Sequence, residues 1–351
     1  MGAINRVLVT GGAGFVGSHV AEYYATRGPQ VTVLDDFSRA STLAATAEGR
    51  DTAAYNYDYL RERYPDIDFV EADIRNSDRI ESIVEGHDAV VHLAGQVAVT
   101  ASLNDPRTDF EVNAQGTFNV LEAARKAESD PAVVFASTNK VYGSNVNEIS
   151  VREAETRYWY DDPEYERGIP ESLSIDDCEH TPYGTSKLAG DLYLQDYAAR
   201  NEIDAAAFRM SCIYGPRQFG IEDQGWIAHF AISTLEDEPL TVYGDGKQVR
   251  DALYVTDLVE AYDAFLSNPT DKPAVYNMGG GPHTTTSLIE LFDLLEAQTG
   301  RRTAVGFDDW REGDQKVYVS DITRAEEHLD WTPSVDLETG LEQFVEWYID
   351  R

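Results

Sequence analysis

Cysteine is nearly absent from this chain: Cys178 and Cys212 are the two among 351 residues, and no CxxC pair occurs. That rules against a disulfide framework and a thiolate zinc site. The seven histidines are scattered, without HExxH or other paired spacing, so no metal is expected. There is no run of about 20 apolar residues and no signal-peptide hydrophobic segment, which points to a cytoplasmic protein rather than a membrane-spanning or exported one. Basic residues are scarce too, 28 against 63 acidic ones, for a formal net charge of −35. Such a chain repels nucleic acid and anionic membranes, and neither is expected as a partner.

Only six of the basic residues are lysines. The acid is dispersed along the chain, as on a densely solvated surface. This balance resembles that of proteins from salt-loving organisms, where molar salt screens charge repulsion within about 3 Å. Where lysine is so rare, the positions that keep it draw notice: Lys140, Lys187, Lys247 and Lys316 all fall in motifs discussed below.

The length is enough for a large core and suggests two domains, or one with a substantial lobe. Residues 4–10 read as a buried strand, followed by a glycine turn and an amphipathic stretch over 15–27. Further strands are expected at 31–34, ending on Asp35, and at 67–70, 89–93 and 132–136, with long helices over 105–127 and 184–200. This alternation builds an α/β fold, a Rossmann-type doubly wound parallel sheet. After Arg209 the rhythm breaks into segments punctuated by Gly215-Pro216, Gly244, Gly246 and Pro282. The expected division is a dinucleotide-binding domain at 1–210, with 250–268 returning to it, and a smaller C-terminal substrate-binding lobe at 211–249 and 269–351. The stretch 144–181, with Tyr158, Trp159 and Tyr160, is longer than an ordinary connection. It reads either as a substrate-covering loop or as a packed surface excursion.

In TGGAGFVG at 10–17, Gly11, Gly14 and Gly17, with Phe15 and Val16 between the last two, sit between an expected strand and an expected helix. Glycines there permit a tight turn, close approach of a pyrophosphate to the backbone, and packing of helix on strand. Asp35 ends the next strand, where its carboxylate can accept from both ribose hydroxyls and repel a 2′-phosphate. With Asp36 beside it, that favours NAD over NADP, although nearby Arg39 argues the other way.

Tyr183 and Lys187 stand one helical turn apart in TPYGTSK at 181–187. On a helix both side chains project from one face, where an ammonium can stabilise a phenolate. A free tyrosine, with a pKa of about 10, is a poor base near neutrality. A lysine and a nicotinamide cation together would draw it down. Alone, this spacing also fits an ordinary solvated helix face.

Together these elements resemble the extended short-chain dehydrogenase/reductase family, which includes nucleotide-sugar epimerases and dehydratases. The matching motifs run in family order through essentially the whole chain: GGAGFVGSH at 11–19, DIR at 73–75, HLAGQ at 92–96, VNAQGT at 112–117, STNKVYG at 137–143, then Tyr183 and Lys187. The resemblance implies that Asp73 and Ile74 lie at the adenine, that Leu93, Ala94, Gly95, Gln96 and Asn113 line the NAD site, and that Thr138 joins Tyr183 and Lys187 in catalysis. Family dehydratases carry an Asp-Glu pair after that threonine to eliminate water. Here Asn139 and Lys140 follow it, and neither serves as the anionic base.

Longer strings, among them AGQVA at 94–98, ETRY at 155–158, DQGW at 223–226, GKQVRD at 246–251 and REGDQ at 311–315, resemble those of family epimerases that act at C2 of a CDP-hexose. UDP-sugar 4-epimerases of the same family are the alternative. In a protein this acidic a nucleotide diphosphate needs a local group of cations. Arg217, Arg250 and Arg311 are the candidates, each of which can instead bridge surface carboxylates. Asn139, Lys140, Gln224 and Lys247 complete the expected substrate set, and Trp226 is either a stacking platform or a core residue. The resemblance also implies a homodimer, paired through the helices at 105–127 and 184–200.

Overall fold

A computed structural model describes residues 4–38, 54–269, 274–311 and 313–351. Arg39 lies outside the described residues. Seven strands form the main sheet: β1 Arg6–Thr10, β2 Gln30–Asp35, β3 Asp68–Glu71, β4 Ala89–His92, β5 Ala132–Thr138, β6 Ala205–Met210 and β7 Ala274–Met278. Their order across the sheet is β7-β6-β5-β4-β1-β2-β3. The pairs β1/β2, β1/β4, β2/β3 and β4/β5 are all parallel. Strands covered on both faces need nearly continuous apolar runs, and β4 and β5 are buried along their whole length. Leu8, Val90, Val120, Leu121, Val133, Phe135 and Leu194 join strands and covering helices in one core. Strand order reverses between β1 and β4, and the crevice outside their carboxyl ends is where such sheets bind ligands.

The chain divides into two compact units. One holds Met1–Thr138, Pro182–Phe208 and Val259–Val275, and the other holds Asn139–Thr181, Arg209–Leu258 and Tyr276–Arg351. These boundaries depart from the expected ones. The segment returning to the first unit is Val259–Val275 rather than 250–268, because the strand Val249–Tyr254 pairs inside the second unit with Cys212–Tyr214, Thr285–Ser287 and Val317–Tyr318. The stretch Asn139–Thr181 also belongs to the second unit, which is thereby about as large as the first. Its hairpin, Val151–Glu153 against Tyr158–Tyr160, packs Tyr158, Val151 and Tyr160 on Val249, Val317 and Val319. The insertion is therefore a packed part of its unit. A second core in this unit gathers Ile227, Phe230, Leu240, Leu291, Leu341 and Phe344 from its helices and strands.

The expected helix over 105–127 is broken. It consists of Pro106–Phe110, a π turn at Glu111–Gly116 and the α-helix Thr117–Lys126. Asp105 caps the first piece by accepting from Thr108 N, and Pro106 at its start needs no hydrogen-bond acceptor. Single π turns inside helices collect at functional sites, and this one carries Asn113. Among the described residues no helix is long and apolar enough to cross a membrane.

Candidate active site

The turn after β1 is held from both sides. Gly11 has φ +68°, and a Cβ on it would stand 2.7 Å from Ala94 N; a Cβ on Gly17 would meet Gly11 O at 2.2 Å. Only glycine fits either place. Gly14 N donates to Gly11 O at 3.0 Å, and the helix Phe15–Ala25 begins with no side chain capping its first amides. Those N–H groups and the helix dipole suit an anion. Phe15 and Val16 are half-buried on the first turn of that helix. Asp35, at the end of β2, accepts from Ala13 N at 3.0 Å and from Phe37 N at 2.9 Å. Burial pushes its carboxyl up from the usual range, with the two backbone donors opposing the rise. Asp36 is exposed and accepts from Ser38 N. Asp73 is gripped by the Arg75 guanidinium through contacts of 2.5 to 3.0 Å, while Ile74 is buried beside Gly116.

The loop after β4 is tied at each residue that the sequence singled out. Leu93 N donates to Thr10 O, and Ala94 N to Thr10 Oγ1. Gln96 N donates to Asn113 Oδ1 at 2.9 Å, and Asn113 Nδ2 returns a bond of 2.9 Å to Gln96 O. Gly95 stands between Asn113 and Lys187: a Cβ there would be 2.8 Å from Asn113 Oδ1 and 3.6 Å from Lys187 Nζ. Beneath the loop His92 is fully enclosed, its ring nitrogens 2.7 Å from Thr10 Oγ1 and 3.0 Å from Thr117 Oγ1. Burial, reinforced by the Lys187 charge, drives its pKa down to about 3, so it is neutral at any working pH.

Tyr183 and Lys187 lie on the helix Pro182–Ala199 and are 8% and 3% exposed. Thr138 ends β5, 6% exposed, and a side-chain hydrogen bond joins it to Tyr183. Burial pushes the Tyr183 phenol up to about 12; the Thr138 bond opposes this and Asp109 adds to it. The protein alone therefore does not bring the phenol toward neutrality, because desolvation of the phenolate outweighs the local donor. Lys187 moves the other way, lowered to about 8 by burial while Asp109 and Asp191 hold it up. Its Nζ lies 4.4 Å from the centre of the Phe135 ring.

The glycine turn, the uncapped helix start and the carboxylate at the end of β2 fit a dinucleotide, and the threonine, tyrosine and lysine stand on elements bordering the same crevice. The NAD dependent epimerase/dehydratase family matches residues 7–279. The chain belongs to that family. Among its relatives is the CDP-paratose 2-epimerase of Salmonella typhi, 37% identical over 97% of this chain and 98% of the relative. A solved UDP-glucose 4-epimerase of Thermotoga maritima with UDP-glucose is 29% identical, with TM-score 0.78 over 98% of this chain and 99% of that one. A UDP-glucuronic acid 4-epimerase of Bacillus cereus, solved with UDP-glucuronic acid and NAD, is 27% identical, with TM-score 0.77 over 98% and 99%. The family activity is NAD-dependent epimerisation of a nucleotide sugar, and NAD is the cofactor.

In the second unit the expected substrate residues divide. Asn139 is buried, whereas Lys140 is half-buried and lowered to about 8 by that burial and by the Arg250 charge, with Asp314 opposing. Arg250 Nη2 is 2.9 Å from Asp314 Oδ1. These three form one group. Arg311 O accepts from Asp314 N at 3.2 Å, but its guanidinium pairs elsewhere, 2.9 Å from Glu222 and 3.5 Å from Asp223, over the Tyr243 ring at 3.9 Å. Lys247 pairs with Glu153 at 2.6 Å, next to Asp245. Arg217 is 3% exposed with φ +67°, and its charge is felt by Tyr254. Gln224 exchanges backbone bonds of 2.9 Å with Ile221. Trp226 donates to Cys212 Sγ and packs edge-on against Phe230, so it is a packing residue.

The sequence reading missed three groups. Asp109, 1% exposed, accepts from Gln96 Nε2, Asn113 Nδ2 and Ser186 Oγ. Ser186 stands next to Lys187 in a quoted motif without a role, and His92 lay in HLAGQ without one. Asp109 sits four residues before Asn113, a helical spacing that could have drawn attention to it.

Proposed function

We propose that this protein inverts one carbon of a nucleotide-diphosphate sugar, in the manner of a CDP-paratose 2-epimerase acting at C2 of a CDP-hexose. The observation that carries this reading is Thr138 bonded to Tyr183, with Lys187 one turn away, beside a glycine turn and Asp35 suited to NAD. In it Tyr183 takes the proton of the sugar hydroxyl, and Thr138 holds that oxygen. Because the phenol rests near 12 in the protein alone, proton removal depends on positive charge brought close to it. Lys187 supplies part of that charge and holds the ribose. NAD, held at the Gly11–Gly17 turn and Asp35, would supply reversible hydride acceptance at that carbon, so that inversion passes by way of a 2-keto sugar. Between the two transfers the keto sugar turns about its phosphate linkage, and Tyr183 returns the proton at the end. No net oxidation results, so turnover should need no added NAD.

Asn139 and Lys140 support epimerisation over dehydration, since neither is an acidic pair. Lys140 with Arg250, and Arg311 near Tyr243, are the groups we assign to the diphosphate. Specificity for CDP rests on the likeness to the Salmonella typhi enzyme. Likeness to UDP-glucose 4-epimerase favours UDP as the second reading. The test is incubation with CDP-, UDP-, GDP- and dTDP-hexoses, with products identified by NMR. Inversion at C2 of a CDP-hexose alone is expected, and conversion of UDP-sugars alone would overturn the CDP assignment.

Two further properties belong with this reading. Leu103, Phe110, Leu192 and Tyr193 are 58%, 57%, 46% and 48% exposed on neighbouring helices of the first unit, an apolar face suited to a second copy of the chain. The charge of −35 suits a cytoplasm of high salt. Sedimentation and melting in a potassium chloride series check both: a monomer throughout would count against the pairing, and a flat melting temperature against salt adaptation.

A further inference from the structure

Asp109 is, with Asp191, one of two carboxylates among the described residues of the first unit that are at most 1% exposed and that no step above uses. It stands on Pro106–Phe110, just before the π turn, and three neutral donors converge on it from three parts of the unit. Gln96 Nε2, from the loop after β4, donates to Oδ1 at 2.8 Å. Asn113 Nδ2, from the π turn, donates to the same oxygen at 3.1 Å, and Ser186 Oγ, from the helix of Tyr183 and Lys187, donates to Oδ2 at 2.5 Å. Each donor lies one step from the site. Gln96 is in the cofactor loop, Asn113 locks that loop through both its amide atoms, and Ser186 precedes Lys187.

An ionised carboxylate this deep is costly unless it is well bonded, and an apolar residue would fill the place more cheaply. Its bonds satisfy it without cancelling its charge, because every partner is neutral. Lys187 is the mirror case: a buried ammonium over the Phe135 ring that makes no ion pair among the described residues. The titratable groups that act on Lys187 are Asp109 from Pro106–Phe110, Asp191 on its own helix, and His92 from β4, which is neutral. Asp191 is spent in part on Ser137 Oγ at 2.6 Å and Gln195 Nε2 at 2.5 Å.

We propose that Asp109 is a positioning residue for the reaction: its carboxylate ties the 93–96 loop, the π turn and the helix of Tyr183 to one point, and supplies the counter-charge that keeps Lys187 an ammonium. The cost of this arrangement is that the same charge opposes the Tyr183 phenolate. The carboxylate thus favours a resting state in which lysine is charged and tyrosine is not.

This inference rests on the epimerase reading of the same site, and the test separates the two. Asp109→Asn keeps the shape and removes the charge. The basic limb of its kcat/KM profile should fall by about one pH unit, as expected when one opposite charge near an ammonium is lost. Nicotinamide should also be released at correspondingly lower pH when the holoenzyme is titrated and bound cofactor is read by absorbance. KM for the sugar should change less than twofold. A basic limb and a release curve that coincide with those of the parent would overturn the proposal even if kcat had dropped. Should that variant fail to fold, Ser186→Ala removes the 2.5 Å tie, along with the longer contacts of Ser186 Oγ to Asn113 Nδ2 and Tyr183 O, and keeps the charge. It should lower kcat several-fold with KM unchanged, and an unchanged kcat would overturn the positioning role. Lack of turnover by the parent enzyme on every sugar would instead sink the epimerase reading.

Discussion

Lys187 and Arg250 are both cations in motifs that the sequence singled out, yet the units that hold them treat charge differently. In the first unit Lys187 is 3% exposed over an aromatic ring and is balanced through space by Asp109 and Asp191. In the second, Arg250 touches Asp314, Arg311 touches Glu222 and Asp223, and Lys247 touches Glu153. The first arrangement is built in advance, with Asp109, Asn113 and Ser186 bonded to one another and no carboxylate paired in contact with the lysine. The second keeps each cation in contact with a nearby acid; the Lys247 and Arg311 pairs are partly in water, where such a pair is worth about 1 kcal/mol or less, and on the proposed reading a diphosphate displaces the acid. An acidic protein can thus carry an anion site without leaving bare positive charge.

The largest effect should come from breaking the built-in arrangement. Tyr183→Phe removes the proposed base while keeping the ring that fills its place. Turnover should fall by about 10³-fold or more, the upper range for a lost general base, with NAD still retained on purification. Retained turnover, measured by NMR of the sugar, would sink the mechanism.

Arg250→Ala tests the other unit. If Arg250 holds the diphosphate, KM for the nucleotide sugar should rise by roughly 10- to 100-fold, the worth of a charge-assisted hydrogen bond, with bound NAD unchanged. A KM within twofold of the parent would remove it from the substrate site.

The cost of the enclosed network can be read from its acid stability. His92 has a folded-state pKa depressed to about 3 from 6.5. Between those values the unfolded chain binds a proton that the folded chain refuses. The stability is therefore fully present above pH 6.5 and is lost as pH falls through the window, by about 1.4 kcal/mol per pH unit. His92→Gln keeps polar atoms between Thr10 and Thr117 without a titrating ring. Denaturant melts at pH 5.5 and 4.5 should show a shallower acid loss in the variant, by about that amount. An identical slope would mean that His92 is not what enclosure costs.

The smallest effect is expected at Glu222→Gln, which releases Arg311 from one of its acids. CDP binding by calorimetry should stay the same or tighten by up to about threefold, since only a weak surface pair is lost. A tenfold loss would show that Glu222 supports the site rather than competing for it.

Much of the first unit was legible in the sequence because its rules are local. A strand buried on both faces must be apolar along its length, and β1, β2 and β4 start within two residues of the expected positions. Gly11 is marked by its φ of +68° and Gly17 by contacts inside the same turn, and the spacing of Tyr183 and Lys187 is set by a single helix. The break at Glu111–Gly116 was not legible, since a π turn differs from an α turn by one residue of register and leaves no mark on composition. Nor was the fate of 144–181. Tyr158 and Val151 find their apolar partners about 90 residues or more away, at Val249 and Val317.

By itself the amino-acid order determined the α/β alternation and the nucleotide turn and pointed to the proposed catalytic trio, because each depends on neighbours within a few residues or on a motif that carries its own geometry. The tertiary structure alone decided which acids meet which cations. Asp109 reaches Ser186 across 77 positions and Gln96 across 13, and Arg311 reaches Glu222 across 89. With 63 acids spread along the chain, almost any one is a plausible partner on paper. Distance and burial select among them, because the worth of a charge pair depends on the separation and the local dielectric, and these exist only once the chain has folded.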